Sequence, residues 1–361
     1  MKERVSGRQA TYVAMGVLLG TVFLPIAQVL AASSGRDAWM VVLPGYLVSF
    51  PFVYLALYAY LKAPEKDLLQ SARRLLGPWL GYPLILFFAA GTAWFSGLLL
   101  RQGGELFARS LMQETPLSVF LIGILLMEVL IVYSGLEVFA RGNEIIMLPI
   151  LLSLLLLVLF NIPKAELGYL KPYLYNGLSP LYKGFFVTVT YGFEYIVFLW
   201  IFLPVVNKPH EVIRSSLKGY LIVGLVLTGL TVMTYCVFSP EETVRLYYGA
   251  LSLARMSEVG NLFHGMEAFF IVFWLGANLI KASAFFFCAY HAIQAVIPFR
   301  RSLFSVALFS PVLLAVAYLP QHGGDIVSML NVADRCFIVP LGSAGTLLLA
   351  AAAYLRTRRR R

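Results

Sequence analysis

Apolar residues run along this chain in long blocks, without the short alternation that marks strands, and polar residues collect in the gaps. Ten blocks stand out, at approximately 10–32, 38–61, 79–100, 116–135, 144–162, 183–206, 214–238, 263–290, 302–319 and 332–355. A helix of about 20 apolar residues spans roughly 30 Å of hydrocarbon, so each block predicts a membrane-crossing helix. The second block carries Pro44, Gly45 and Pro51, which a membrane helix tolerates as kinks. The expectation is an all-α polytopic membrane protein with ten transmembrane helices.

Two blocks hold interruptions. The first contains Gly20-Thr21 ahead of Pro25, and the sixth contains Tyr191-Gly192-Phe193-Glu194. Glycine lets a helix open, and opened backbone survives in a bilayer only where it lines a cavity or a ligand. A carboxylate at membrane depth costs at least ~2.5 kcal/mol and marks a functional site by default. Ten helices divide as five plus five, and an odd number in each half makes the halves insert in opposite senses. One transmembrane domain over 1–361 is therefore expected, with inverted five-helix repeats at 10–162 and 183–355 and discontinuous helices 1 and 6. Interrupted helices in corresponding positions point to a binding site at their breaks. The competing reading is that Gly192 only lets helices pack closely, with Glu194 at an interface.

Composition agrees with the pattern. Of the 361 residues 60% are hydrophobic and 13% charged, with a mean hydropathy of +0.81. A soluble domain averages roughly 25% charged, and no polar stretch here is long enough to form one. The net charge of +10 does not point to nucleic acid, because the basic residues lie in short loops and in the tail at 356–361. With the N-terminus in the cytoplasm, eighteen Lys and Arg fall inside, nine outside, and Lys281 within a block. That asymmetry predicts both termini inside, with the basic tail cytoplasmic and near anionic lipid. Lys2, Arg4 and Arg8 ahead of the first block imitate a signal peptide, but 23 apolar residues exceed a signal core of ~7–15, so the block reads as the first membrane helix. Cys236, Cys288 and Cys336 lie far apart and offer neither a disulfide framework nor metal-ligand spacing. No nucleophile–base pair, zinc spacing or phosphate loop is present. No cofactor is expected, and the chain does not read as an enzyme.

The polar residues inside the blocks are the candidate chemistry. In the eighth, Glu267, Trp274, Asn278 and Lys281 share one helical face. Glu267 and Lys281 stand about 21 Å apart along the axis at ~1.5 Å per residue, so they cannot pair. Lys281 either snorkels to the headgroups or is a fixed ammonium standing where a related transporter would hold sodium. Glu128 in the fourth block faces a partner helix or is hydrogen-bonded in its protonated form. Thr92, Trp94, Phe95, Ser96 and Gly97 in the third suit a side-chain pocket and equally suit close helix packing. Ser239-Pro240-Glu241-Glu242 is a helix-start signature, which predicts a short helix within 239–262, or else a solvated loop.

The order of short motifs resembles the spore-germination permease family, the membrane B subunit of germinant receptors, within the amino acid–polyamine–cation transporter superfamily. The resemblance covers nearly the whole chain. It rests on Ser6-Gly7-Arg8-Gln9, Gly20-Thr21, Pro25, Gly35-Arg36-Asp37-Ala38-Trp39, Thr115-Pro116, the run Gly135 to Glu144, Pro149, Tyr191-Gly192-Phe193-Glu194, Pro204, Glu267-Ala268-Phe269-Phe270 and Lys281-Ala282-Ser283. Two departures stand out. The family often carries an acid and an arginine just ahead of the eighth-helix glutamate, where this chain has His264 and Gly265. Some proton-coupled members of the superfamily carry a lysine in helix 5, where this chain has no cation.

The resemblance implies a LeuT-like fold and a small germinant, commonly an amino acid, bound between helices 1, 3, 6 and 8. It implies A-type and lipoprotein C-type partner subunits in the spore inner membrane. The expected ligand site is Gly20, Thr21, Phe95, Ser96, Tyr191, Gly192, Phe193, Glu194 and Asn278, with Lys281, Glu267 and Glu128 in gating or coupling. Three functions compete: a nutrient-sensing receptor subunit, an amino acid/proton symporter, and a structural or channel-forming subunit. The breaks at Gly20 and Gly192 speak against the last.

Overall fold

The structure is a computed structural model that describes residues 4–65, 67–110, 112–257 and 266–359. His264 and Gly265, the end of the arginine tail and the last part of the 239–262 segment lie outside the described residues. Among those described, eight helical stretches are long and apolar enough to cross a membrane. The first and ninth expected crossings are built from shorter pieces.

The chain enters at α1 (Gly7–Leu19). A capping box starts it: the Ser6 hydroxyl accepts from the Gln9 N–H, and the Gln9 side chain accepts from the Ser6 N–H. Gly20 ends it at φ +20°, a conformation open to glycine and strained for other residues. Turns carry the chain past Pro25, which has no N–H to continue a helix, and α2 (Ile26–Ser34) resumes. The first crossing is thus broken where the sequence predicts.

A 3₁₀ turn (Gly35–Val41) leads to α3 (Val42–Ser49) and α4 (Pro51–Lys62). Next comes α5 (Leu68–Leu76), a short amphipathic helix absent from the ten predicted blocks. The long crossings α6 (Pro78–Ser110), α7 (Leu117–Ser134) and α8 (Leu136–Asn161) follow. After the 163–180 segment come α9 (Leu181–Phe202) and α10 (Glu211–Phe238).

The predicted short helix is present as α11 (Pro240–Thr243), whose Ser239 cap accepts from the Glu242 N–H, and α12 (Gly249–Met256) follows. The chain then forms α13 (Met266–Val296), α14 (Leu303–Ala307), α15 (Ser310–Ala317), α16 (Gly323–Ala333) and α17 (Thr346–Arg359). Two π-helical turns, Asp334–Ile338 and Leu341–Gly345, join the last two.

Burial ranks the helices. Within its most apolar window α9 is 94% buried, against 28% for α8, so α9 is the central post and α8 a peripheral helix. Ile145, Leu148, Leu152 and Leu155 of α8 are exposed, as a lipid-facing surface requires.

The sixth crossing corrects an expectation. α9 runs unbroken through Gly192. A Cβ on Gly192 would overlap the Ser49 hydroxyl oxygen and come within 3.3 Å of Tyr220. Its carbonyl accepts from the Tyr220 hydroxyl at 2.6 Å. Gly192 therefore serves close approach of α9 to α3 and α10. Gly45 does the same from the other side, since a Cβ there would overlap Thr188. This is the small-residue packing of membrane helices.

Candidate functional site

The break between α1 and α2 opens onto a cavity of about 30 Å³. The break supplies Thr21, Val22 and Pro25, while α6 supplies Phe95 and Gln102. Tyr191 and Glu194, three residues apart on one face, come from α9, and Lys281 comes from α13. Val327, Leu330, Asn331 and Asp334 close the remaining side. Asp334 opens the first π-helical turn, a distortion frequent at functional sites. The volume holds roughly one water, so the site has no room for a ligand in this conformation.

Lys281 dominates it. Its Nζ pairs with Glu194 Oε2, the two side chains being 0% and 1% exposed. That rules out snorkelling and leaves the fixed-ammonium reading. The contact is an ion pair by distance only; neither atom has a well-oriented hydrogen bond among the described residues. The ammonium lies 5.9 Å from the centre of the Phe95 ring, within reach of a cation–π attraction. A Cβ on Gly20 would overlap Lys281 Cδ, so the lysine stem lies directly over the break.

Asp334 adds a second carboxylate. It is 2% exposed, and its Oδ1 has no hydrogen-bond partner among the described residues. Gln102 Oε1 is a second unpartnered acceptor in the same lining. Beside the Lys281–Glu194 pair the cavity therefore holds a second acid and two acceptor atoms without hydrogen-bond partners among the described residues.

Of the predicted ligand residues, Thr21, Phe95, Tyr191 and Glu194 line the cavity, and Gly20 adjoins it through Lys281. The others do not converge there. Ser96 donates to the Ala282 carbonyl at 3.1 Å, tying α6 to α13. Phe193 packs edge-on against Phe52 at 4.9 Å and beneath Gly342. Asn278 donates to the Leu99 carbonyl at 3.1 Å.

The remaining two candidates stand apart. Glu267 accepts from Arg255 of α12 at 2.6 Å and is partly exposed. Glu128 is fully buried in α7, with no partner on either oxygen among the described residues.

Asp334 and Gln102 escaped the sequence reading for a physical reason. The third block ends at its last continuous apolar residue, Leu100, but α6 extends to Ser110 through Arg101, Gln102 and Glu105. The Arg101 and Arg109 guanidiniums pair with Glu105 at 2.9 and 2.7 Å, which lets a charged stretch continue as buried helix. Asp334 lay near the edge of the tenth block, where a carboxylate passes for a loop residue. The signal that marked Glu194, an acid within an apolar run, was present there too.

Over 349 residues the chain is 21% identical to spore germination protein YndE of Bacillus subtilis (strain 168), covering 96% of each. Its fold is similar to that of MHP1, a nucleobase-cation-symport-1 family transporter, in a closed conformation with bromovinylhydantoin bound. The TM-score is 0.73 at 14% identity, covering 100% of this chain and 80% of that one. It is also similar to MhsT in complex with L-phenylalanine, with a TM-score of 0.64 at 14% identity over 97% and 89% of the two chains. These neighbours are LeuT-fold transporters, and the fold here is of that type. The family model described as spore germination protein matches residues 4–325, and the chain belongs to that family.

Proposed function

We propose that this protein is the membrane subunit of a germinant receptor, and that a small zwitterionic nutrient, an amino acid, binds at the break of the first helix. The observation that carries this reading is the pair of buried acceptors, Asp334 Oδ1 and Gln102 Oε1, beside the Lys281–Glu194 ion pair. Buried acceptor oxygens without a partner are costly, and a ligand ammonium placed between these two offsets that cost. The ligand carboxylate then turns to Thr21, which lines the cavity at the break.

The cavity of about 30 Å³ is too small for any amino acid, so binding must move the surrounding elements. Movement on binding is what a sensor passes to its partners. The resemblance supplies those partners as A-type and C-type subunits in the spore inner membrane, and the asymmetry of Lys and Arg places both termini in the cytoplasm. MhsT, a neighbour in fold, is in complex with L-phenylalanine, which supports an amino acid as the ligand class.

A second reading is an amino acid/proton symporter using the same cavity. Three ionisable groups in one small cavity, Glu194, Lys281 and Asp334, favour it over a scaffold role. Thermal stabilisation of the purified protein by each of the twenty common L-amino acids tests binding. Radiolabelled uptake of any stabilising one into proteoliposomes then separates sensing from transport. No stabilisation by any of them refutes the ligand class; concentrative uptake replaces the sensor by the symporter.

A further inference from the structure

A second recess lies at the other end of α1, away from the central cavity. It has a volume of about 680 Å³ and lies between α1, α8 and α10. Its lining divides into two zones. Arg8, Arg214, Lys218 and Glu211 stand at one end; Tyr12, Met15, Leu148, Leu151 and Ile222 form an apolar floor.

The charges do not cancel. Arg8 pairs with Glu144 of α8, and Glu211 lies 3.3 Å from Lys208. Among the described residues neither Arg214 nor Lys218 has a carboxylate within the 4.0 Å of an ion pair. Four residues apart on α10, they sit one above the other on one helical face. Just beyond Lys218 the helix turns apolar, from Tyr220 through Val223, so these cations mark the water–hydrocarbon boundary. The floor continues past that boundary and is open to the side: Leu148 is 63% exposed.

A recess with unpaired cations at the interface and an apolar trough running into the hydrocarbon fits one kind of molecule. We infer that it holds an anionic phospholipid, its phosphate on Arg214 and Lys218 and an acyl chain along Tyr12, Leu148, Leu151 and Ile222. Basic pockets between membrane helices take such headgroups by charge. A soluble phosphate would satisfy the cations and leave the trough unused.

The position gives the lipid a consequence. The start of α1 is already held on one side, by the Val5 N–H donating to the Val205 carbonyl at 2.8 Å and by the Ser215 hydroxyl donating to the Gly7 carbonyl at 2.8 Å. The lipid closes the open side of the same helix, against α8 and α10.

Native mass spectrometry of the full chain in detergent tests this, with phosphatidylglycerol, phosphatidylcholine and soluble glycerol 3-phosphate as probes. One phosphatidylglycerol should bind in preference to phosphatidylcholine. Affinity should fall roughly 30-fold in Arg214→Gln/Lys218→Gln, at about 1 kcal/mol per contact, and also fall in Leu148→Asn. Lys171→Gln/Lys183→Gln, which removes equal charge from the opposite side of the protein, should leave it unchanged. Full affinity in the α10 double variant overturns the site. Equal binding of phosphatidylcholine overturns the charge requirement. Displacement of phosphatidylglycerol by equimolar glycerol 3-phosphate, with Leu148→Asn unaffected, makes this a free-phosphate site and overturns the lipid.

Discussion

The aliphatic stem of Lys281 occupies the space that a side chain on Gly20 would need. The break in the first helix and the buried cation of α13 are therefore one structural unit. Gly20→Ala meets two obstacles, the lysine stem and a backbone at φ +20°. Gly35 has φ +71°, and a Cβ there would meet nothing within 4 Å, so Gly35→Ala meets strain alone. Thermal or denaturant unfolding in detergent should show Gly20→Ala less stable than Gly35→Ala by about 2 kcal/mol, the usual size of an overpacking cost. Equal losses would detach Lys281 from the break.

The helical blocks were legible because membrane helices announce themselves by length and apolarity: α7, α9 and α10 begin and end near the block limits, while α6 ends ten residues beyond its block and α8 begins eight residues before its own. The break at Gly20 was legible because glycine and proline together leave a helix little choice. The continuity of α9 was not, since Gly192 reads the same whether it opens a helix or admits a neighbour. Only the position of Ser49, 143 residues earlier in the chain, separates the two. Lys281 and Glu194 were each singled out, but their pairing depends on how α13 rotates against α9, which no local pattern records. Amphipathic α5 was too short and too charged to resemble a membrane block.

Gly192 and Ser49 offer a test of close packing. Gly192→Ala should destabilise the protein by about 1–3 kcal/mol, because the new methyl overlaps the Ser49 hydroxyl. Adding Ser49→Gly removes both the hydroxyl and the Cβ that crowd it, and should recover part of the loss despite glycine's own cost near a helix end. A double-mutant cycle on unfolding free energies measures the coupling. Strictly additive losses would mean that Gly192 owes its place to something other than Ser49.

Asp67 gives a pH-dependent prediction outside the membrane segments. It caps α5, its carboxylate accepting from the Leu69 N–H at 2.8 Å. Burial pushes its pKa up to about 6, against the pull of the Leu69 and Gln70 backbone N–H groups. A raised carboxyl pKa means that the folded state holds the proton more tightly. Its contribution is thus present at low pH and is lost as pH rises from about 4 to about 6. Asp67→Asn keeps a capping oxygen and cannot titrate. Melting curves across that window should show a flatter pH dependence in the variant; an unchanged slope would assign it to other groups.

The charge cluster gives the sharpest test of the site. Lys281→Ala leaves Glu194 and Asp334 buried without their cation, and breaking a buried pair by removing one partner costs about 3–5 kcal/mol. Replacing the pair together, as Lys281→Met with Glu194→Gln, removes both charges and should recover most of that stability. It should not recover ligand binding, because the lysine stem that packs over the break at Gly20 and the ammonium beside Asp334 are both lost. Lys281→Arg should fail as well, since the wider guanidinium has no room between Gly20 and the Phe95 ring. A lysine that merely reached for headgroups would accept arginine at little cost. The measurements are unfolding free energy in detergent and germinant response in spores, after membrane levels are matched. Wild-type response in Lys281→Ala would remove the cation from the mechanism, and wild-type response in the double variant would reduce the pair to a structural contact.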